Sequence, residues 1–144
     1  MRNYICISLV FLLVSAGCSL KGNVFSLSVG DCFSYDSNPY IESKVEDVDT
    51  VSCSKPHMYE VYSEFELTGS SWPGASIVSS RADEGCLTRF APFVGIEYDY
   101  SEWYIWNFYP LQESWNKLDD RVVTCFLGTE YDRKTTGSAR GTRR

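Results

Sequence analysis

Four cysteines, Cys32, Cys53, Cys86 and Cys125, lie far apart in the chain, and their state decides what it can fold into. Zinc ligands usually arrive in close pairs, and no CxxC occurs here, so the even set predicts two disulfides rather than a metal site. Such bridges persist outside the reducing cytosol. The fold therefore depends on where the chain is sent, and its first residues bear on that.

Met1-Arg2-Asn3-Tyr4 is a short, positively charged start, and Ile5 to Val14 is apolar except for Ser8. Ser15-Ala16-Gly17 then supplies small residues ahead of Cys18. This order predicts a signal peptide over residues 1–17, with an apolar region well short of the about 20 residues that a spanning helix needs. Cys6 falls inside that region. Val14-Ser15-Ala16-Gly17-Cys18 resembles the lipobox of bacterial lipoproteins, in which the thiol is diacylated and becomes the new N-terminus. The pattern prefers Leu three residues before the cysteine, and here that position is Ser15. Lipid attachment at Cys18 is the expectation; plain secretion or an uncleaved tether are the alternatives. Two acyl chains give a stable anchor, since each buried methylene contributes about 0.8 kcal/mol.

Cleavage before Cys18 leaves 12 Lys+Arg against 19 Asp+Glu, a net of −7. Such a domain is a poor partner for nucleic acid, or for anionic lipid across its whole surface. The expected partner at this level is the membrane, through the anchor. Four cysteines allow three connectivities. Cys32–Cys53 and Cys86–Cys125 are favoured, because the first pair flanks two neighbouring strand candidates and the second joins a helix to the last strand. Closing loops of these lengths stabilises by about 3–4 kcal/mol each in the chain-entropy account.

Residues 18–28 read as the lipidated cysteine and a short tether, 29–129 as the folded domain, and 130–144 as a basic C-terminal segment. A first strand runs over Leu27–Phe33 and meets turn residues Asp36-Ser37-Asn38-Pro39. Val45, Val48 and Val51 mark a second. Met58 to Leu67 alternates, with Tyr59, Val61, Ser63 and Phe65 on one face and Glu60, Tyr62, Glu64 and Glu66 on the other. After Trp72-Pro73-Gly74 the period changes: Val78, Ala82, Cys86 and Phe90 predict an amphipathic helix from Ala75 that stops before Pro92. Gly85 lowers its propensity by about 1 kcal/mol relative to Ala and points to close packing there. Trp103 to Tyr109 is apolar on both faces and predicts a central strand. Val122 to Leu127 is the last. The order gives an α+β fold, one helix on a small, mostly antiparallel sheet.

Several motifs then fall in order. Val29-Gly30-Asp31-Cys32-Phe33 precedes Val51-Ser52-Cys53-Ser54-Lys55-Pro56-His57 and Glu60-Val61; Gly85-Cys86, Phe90 and Val94-Gly95 follow. Tyr109-Pro110, Ser114-Trp115, Asp120-Arg121, Val123, Cys125 and Thr136-Gly137-Ser138-Ala139-Arg140-Gly141 complete the set. Over residues 29–141 the chain resembles the actinobacterial septum formation domain family, found in exported or membrane-attached envelope proteins. That resemblance implies septation or cell-envelope work, with envelope or division proteins or cell-wall polymer as partners. Where the family has a tight Gly-Asp turn between Trp115 and Arg121, this chain reads Asn116-Lys117-Leu118-Asp119-Asp120.

His57, the only histidine, sits after Lys55-Pro56 in what reads as a rigid turn; metal, ligand or general-base roles are the alternatives. Trp72, beside Pro73 and Gly74, and Trp115, in a polar stretch, are candidate surface contacts together with His57. Glu64 and Glu66 share a strand face and could supply the carboxylate pair of a carbohydrate hydrolase, although a solvated face is the better account of them. Arg133, Lys134, Arg140, Arg143 and Arg144 form a basic end, expected to run free in solvent or to meet anionic polymer or headgroups. Walker, dinucleotide and metalloprotease motifs are absent, so no cofactor is expected. The function expected is a non-catalytic extracytoplasmic binding module; the hydrolase and a sensor working through a membrane partner are the alternatives.

Overall fold

The structure is a computed structural model and describes residues 20–23, 26–34 and 47–144. The signal segment, Cys6, Cys18 and the turn at residues 36–39 lie outside the described residues. The chain forms β1 (Leu20–Asn23), β2 (Cys32–Ser34), β3 (Asp47–Val51), β4 (Tyr59–Glu66), α1 (Ala75–Val94), β5 (Trp103–Phe108), α2 (Gln112–Leu118) and β6 (Val122–Thr129). The strands make one sheet in the order β1-β3-β2-β4-β6-β5, every pair antiparallel. The fold is α+β, as its period changes predict. Leu20–Asn23, expected as part of a tether, pairs instead with β3 at the sheet edge.

Helix α1 carries Val78, Ala82, Cys86 and Phe90 on its inner face, each fully buried. It runs one turn further than expected, because Pro92 lies inside it and Phe93 and Val94 are buried beyond it. A proline removes one intrahelical bond. Here the final turn is held by those two apolar side chains and by Gly95, whose left-handed φ of 88° lets its N–H reach Ala91 O. Gly85 is placed where any side chain would collide: a Cβ there would stand 2.1 Å from Cζ of Phe65. The missing methyl group lets the helix lie directly on β4.

β4 does not alternate strictly. Its pairing with β6 slips between Val61 and Ser63, leaving Tyr62 as the extra residue of a bulge. Glu60 and Tyr62 face α1, and beyond the bulge so do Ser63 and Phe65; Glu64 and Glu66 turn to the other face, with Tyr59 and Val61. Each face has its own core. Tyr62, Trp103, Val123, Cys125 and Leu127 pack with α1 on one side. On the other, Phe126 is ringed by Phe108 at 4.6 Å, Phe33 and Tyr59 each at 5.3 Å, and a nearly parallel Trp106 at 6.5 Å.

Both disulfides close. Cys32–Cys53 ties the end of β3 to β2, with Cα atoms 5.2 Å apart, and Cys86–Cys125 ties α1 to β6 at 5.5 Å. The run Trp103–Phe108 is the outermost strand on its side of the sheet, not a central one. It is apolar on both faces because α1 lies against one, while on the other Trp106 and Phe108 join the aromatic cluster of the neighbouring strands. Among the described residues, no helix is long and apolar enough to cross a membrane.

Candidate functional site

The C-terminal segment, expected to be solvated, is docked against the domain as a strap. Thr135 exchanges backbone bonds with His57, at 3.0 and 2.8 Å, and Gly137 N–H reaches Cys53 O at 2.7 Å. The strap then passes Glu60, which is buried on β4. Glu60 Oε1 accepts from the Ser138 hydroxyl, and Oε2 accepts from the Ala139 N–H at 2.7 Å. A buried carboxylate is costly unless donors surround it, and the strap brings two. Further on, Gly141 N–H and Arg143 N–H bond to the carbonyls of Phe93 and Val94, both at 2.9 Å. They satisfy acceptors that the end of α1 cannot pair internally. Arg140 lies 4.3 Å from the Phe93 ring, and Arg144 bonds to Glu102. The basic end is thus a structural element whose backbone closes the fold and whose cations stay at the surface.

His57 is not a surface contact. It is 2% exposed, and its Nδ1–H donates to Lys55 O at 2.8 Å, which fixes the turn before β4. Trp115 is 1% exposed and is also withdrawn from that role. Residues 112–118 form a short helix, so the polar side chains point outward and Trp115 alone turns in. Ser114 Oγ accepts from Leu111 N–H at the start of this helix and donates to Leu111 O. Arg121 lies 3.8 Å over the Trp115 ring and donates to the carbonyls of Gly69, Trp115 and Asp120. That guanidinium locks two loops together. It also pairs with Asp119 at 2.8 Å in the turn 116–120, where Asp119 takes a left-handed φ of 54°. Trp72 is half-buried and meets Trp115 edge-on at 5.6 Å, so part of its ring remains available.

Among the described residues, one cluster has the composition of a metal site: Cys32, Cys53 and Glu60, whose ligand atoms lie within 4.8 Å of one another. The two sulfurs are bonded to each other and the carboxylate is engaged by the strap. These groups therefore do not present a thiolate site. Glu64 and Glu66 are exposed on the same sheet face, two residues apart on a strand, and Glu64 accepts from the Thr124 hydroxyl at 3.3 Å. On that face the next strands carry the aromatic row Tyr104, Trp106 and Phe108.

The sequence pointed to tryptophans in loops, whereas the exposed aromatic groups are tyrosines: Tyr100, Tyr104 and Tyr109 on and beside β5, and Tyr131 after β6. Tyr104 is 41% exposed and Tyr100, in the short 3-10 turn Tyr98–Tyr100 that leads into the strand, is 78% exposed. Glu60 gave one signal in the sequence, as a lone acid in the apolar stretch Tyr59–Tyr62, and nothing there named its partners.

The family described as septum formation matches residues 26–143, which take in both disulfides, Glu60 and nearly all of the strap. No curated protein and no solved structure matches the chain. With the match spanning most of its length, the chain belongs to the septum formation family.

Proposed function

We propose that the protein is a non-catalytic interaction module of the cell envelope, held at the outer face of the membrane by lipid on Cys18 and acting in septum formation. The observation that carries this is how its polar interior is used. Glu60 holds the strap, His57 a turn and Arg121 two loops, so these polar groups serve the scaffold. What faces outward at the β5 end of the sheet includes the tyrosines Tyr100, Tyr104 and Tyr109. Two disulfides in so small a domain support an oxidising compartment. Membership of the family supports the septal or envelope role.

Cross-linking capture in intact cells tests this, with Cys18→Ala as the unanchored control. Division proteins enriched with the native chain and lost with the control are expected. The alternative is a carbohydrate hydrolase, for which Glu64 and Glu66 on one face supply the paired carboxylates. If the purified domain cleaves wall glycan, and Glu64→Gln or Glu66→Gln abolishes the cleavage, the module gives way to the enzyme.

A further inference from the structure

We propose that the outer edge of β5 is a docking site for an extended segment of a partner protein, taken up antiparallel as an added strand and carrying basic residues at its ends. This rests on the interaction-module function and specifies the partner's chemistry.

The two sheet edges differ. β1 is four residues long and carries Lys21, features that blunt an edge against further pairing. β5 has six residues, Trp-Tyr-Ile-Trp-Asn-Phe, without a charge or a proline, and it pairs with β6 in continuous register. An uncharged, apolar edge of this kind is a template for strand addition, in which main-chain bonds give affinity and alternate side chains give specificity. Among the described residues, no strand lies on its outer side. Exposed Tyr100 and Tyr104 flank it, and tyrosine supplies a flat apolar face with a polar tip.

The surrounding charge selects the occupant. Glu97, Asp99 and Glu102 precede β5, Asp83 reaches Asn107 from α1 at 2.9 Å, and Glu113 follows in α2. Arg144 and Lys117 pair with two of these, and Arg143, set against Gly95, and Arg133, bonded through its carbonyl to Thr129 beside Trp103, add further cations, so the acidic excess is small. A second copy would bring the same carboxylates together on a chain of net charge −6. A strand with lysine or arginine at its ends meets complementary charge.

The test uses the purified, oxidised protein and a labelled alternating Thr-Val peptide of about nine residues with lysines at both ends. One comparison peptide has glutamates at its ends, another a central proline. The lysine-ended peptide should bind saturably, about tenfold or more tighter than either comparison, and should slow amide exchange within residues 103–107. Tyr104→Lys should weaken that binding about tenfold while leaving the thermal midpoint unchanged, since the side chain is exposed. No binding, equal binding of all three peptides, or protection elsewhere would overturn the proposal. So would sedimentation showing a dimer that Tyr104→Lys dissolves, because the occupant would then be a second copy. Capture in cells that survives Tyr104→Lys would sink the β5 site and leave the module standing; absence of capture by the native chain would sink the module itself.

Discussion

Glu60 is a buried acid near the start of β4, and its two oxygens reach a hydroxyl and a backbone N–H some eighty residues further along the chain. Hydrogen bonds to charged groups contribute about 1.5–3 kcal/mol each, so Glu60→Ala, which removes two, should destabilise the domain by roughly 3–6 kcal/mol. Denaturant unfolding measures the loss, and amide exchange at Ala139 should accelerate with it. Glu60→Gln, which keeps an acceptor, should lose less. Tyr62 is a second residue of this kind. Its hydroxyl donates to Cys86 O at 2.7 Å, and burial, with the nearby Tyr98 adding to it, raises its pKa far above the usual tyrosine range. A raised folded-state pKa favours the neutral group, so its contribution is complete below the unfolded value of about 10 and is lost as pH climbs beyond it. Stability should therefore fall more steeply above about pH 10 in the native protein than in Tyr62→Phe, which should itself cost about 1 kcal/mol at neutral pH. Equal alkaline slopes in the two proteins would contradict this. Neither partner was legible from sequence, because bonds across eighty or twenty-four residues leave no local pattern. The close packing at Gly85 was legible: an isolated glycine inside a strong helical period marks a place where a neighbour leaves no room for a side chain.

At the scale of elements, periodicity read well and its interruptions did not. The four-residue spacing of Val78, Ala82, Cys86 and Phe90 located the inner face of α1 correctly. The bulge at Tyr62 adds one residue and so exchanges the two faces of β4 from that point on, placing Phe65 against the helix and Glu64 and Glu66 away from it. Strict alternation gives no warning of such a slip. β5 shows a related limit, since apolar residues on both faces report what covers a strand from above and below, and nothing about its neighbours in the sheet. The strap is the element whose role changes most. It supplies donors to Glu60, Phe93 and Val94, and removing residues 135–144 would leave all three acceptors without them. We expect that truncation to destabilise the domain by about 3 kcal/mol or more in denaturant titrations and to fray the last turn of α1. An unchanged midpoint would show the strap to be an appendage. Reducing Cys86–Cys125 should lower stability by about 3–4 kcal/mol through the loop it closes, read out by comparing the native protein with Cys86→Ala/Cys125→Ala.

For the whole molecule, the structure combines a two-sided sheet, two covalent ties and a C-terminal closure. A domain with about 5–15 kcal/mol of total stability cannot lose both bridges without risk of unfolding. That dependence links the fold to its compartment. Both cysteine pairings followed from which elements each residue adjoins, so this much of the global architecture was present in the sequence. The outward aromatic end was not, because exposure is decided by the assembled sheet, and the tryptophans that stand out in the sequence are largely the ones it buries. Export and anchoring carry the rest of the functional account, and intact mass spectrometry of the native protein taken from cell membranes addresses them together. The expected product begins at Cys18, carries acyl groups there and has lost four hydrogens to two disulfides. A full-length chain beginning at Met1, without lipid and with four free thiols at Cys32, Cys53, Cys86 and Cys125, would contradict it.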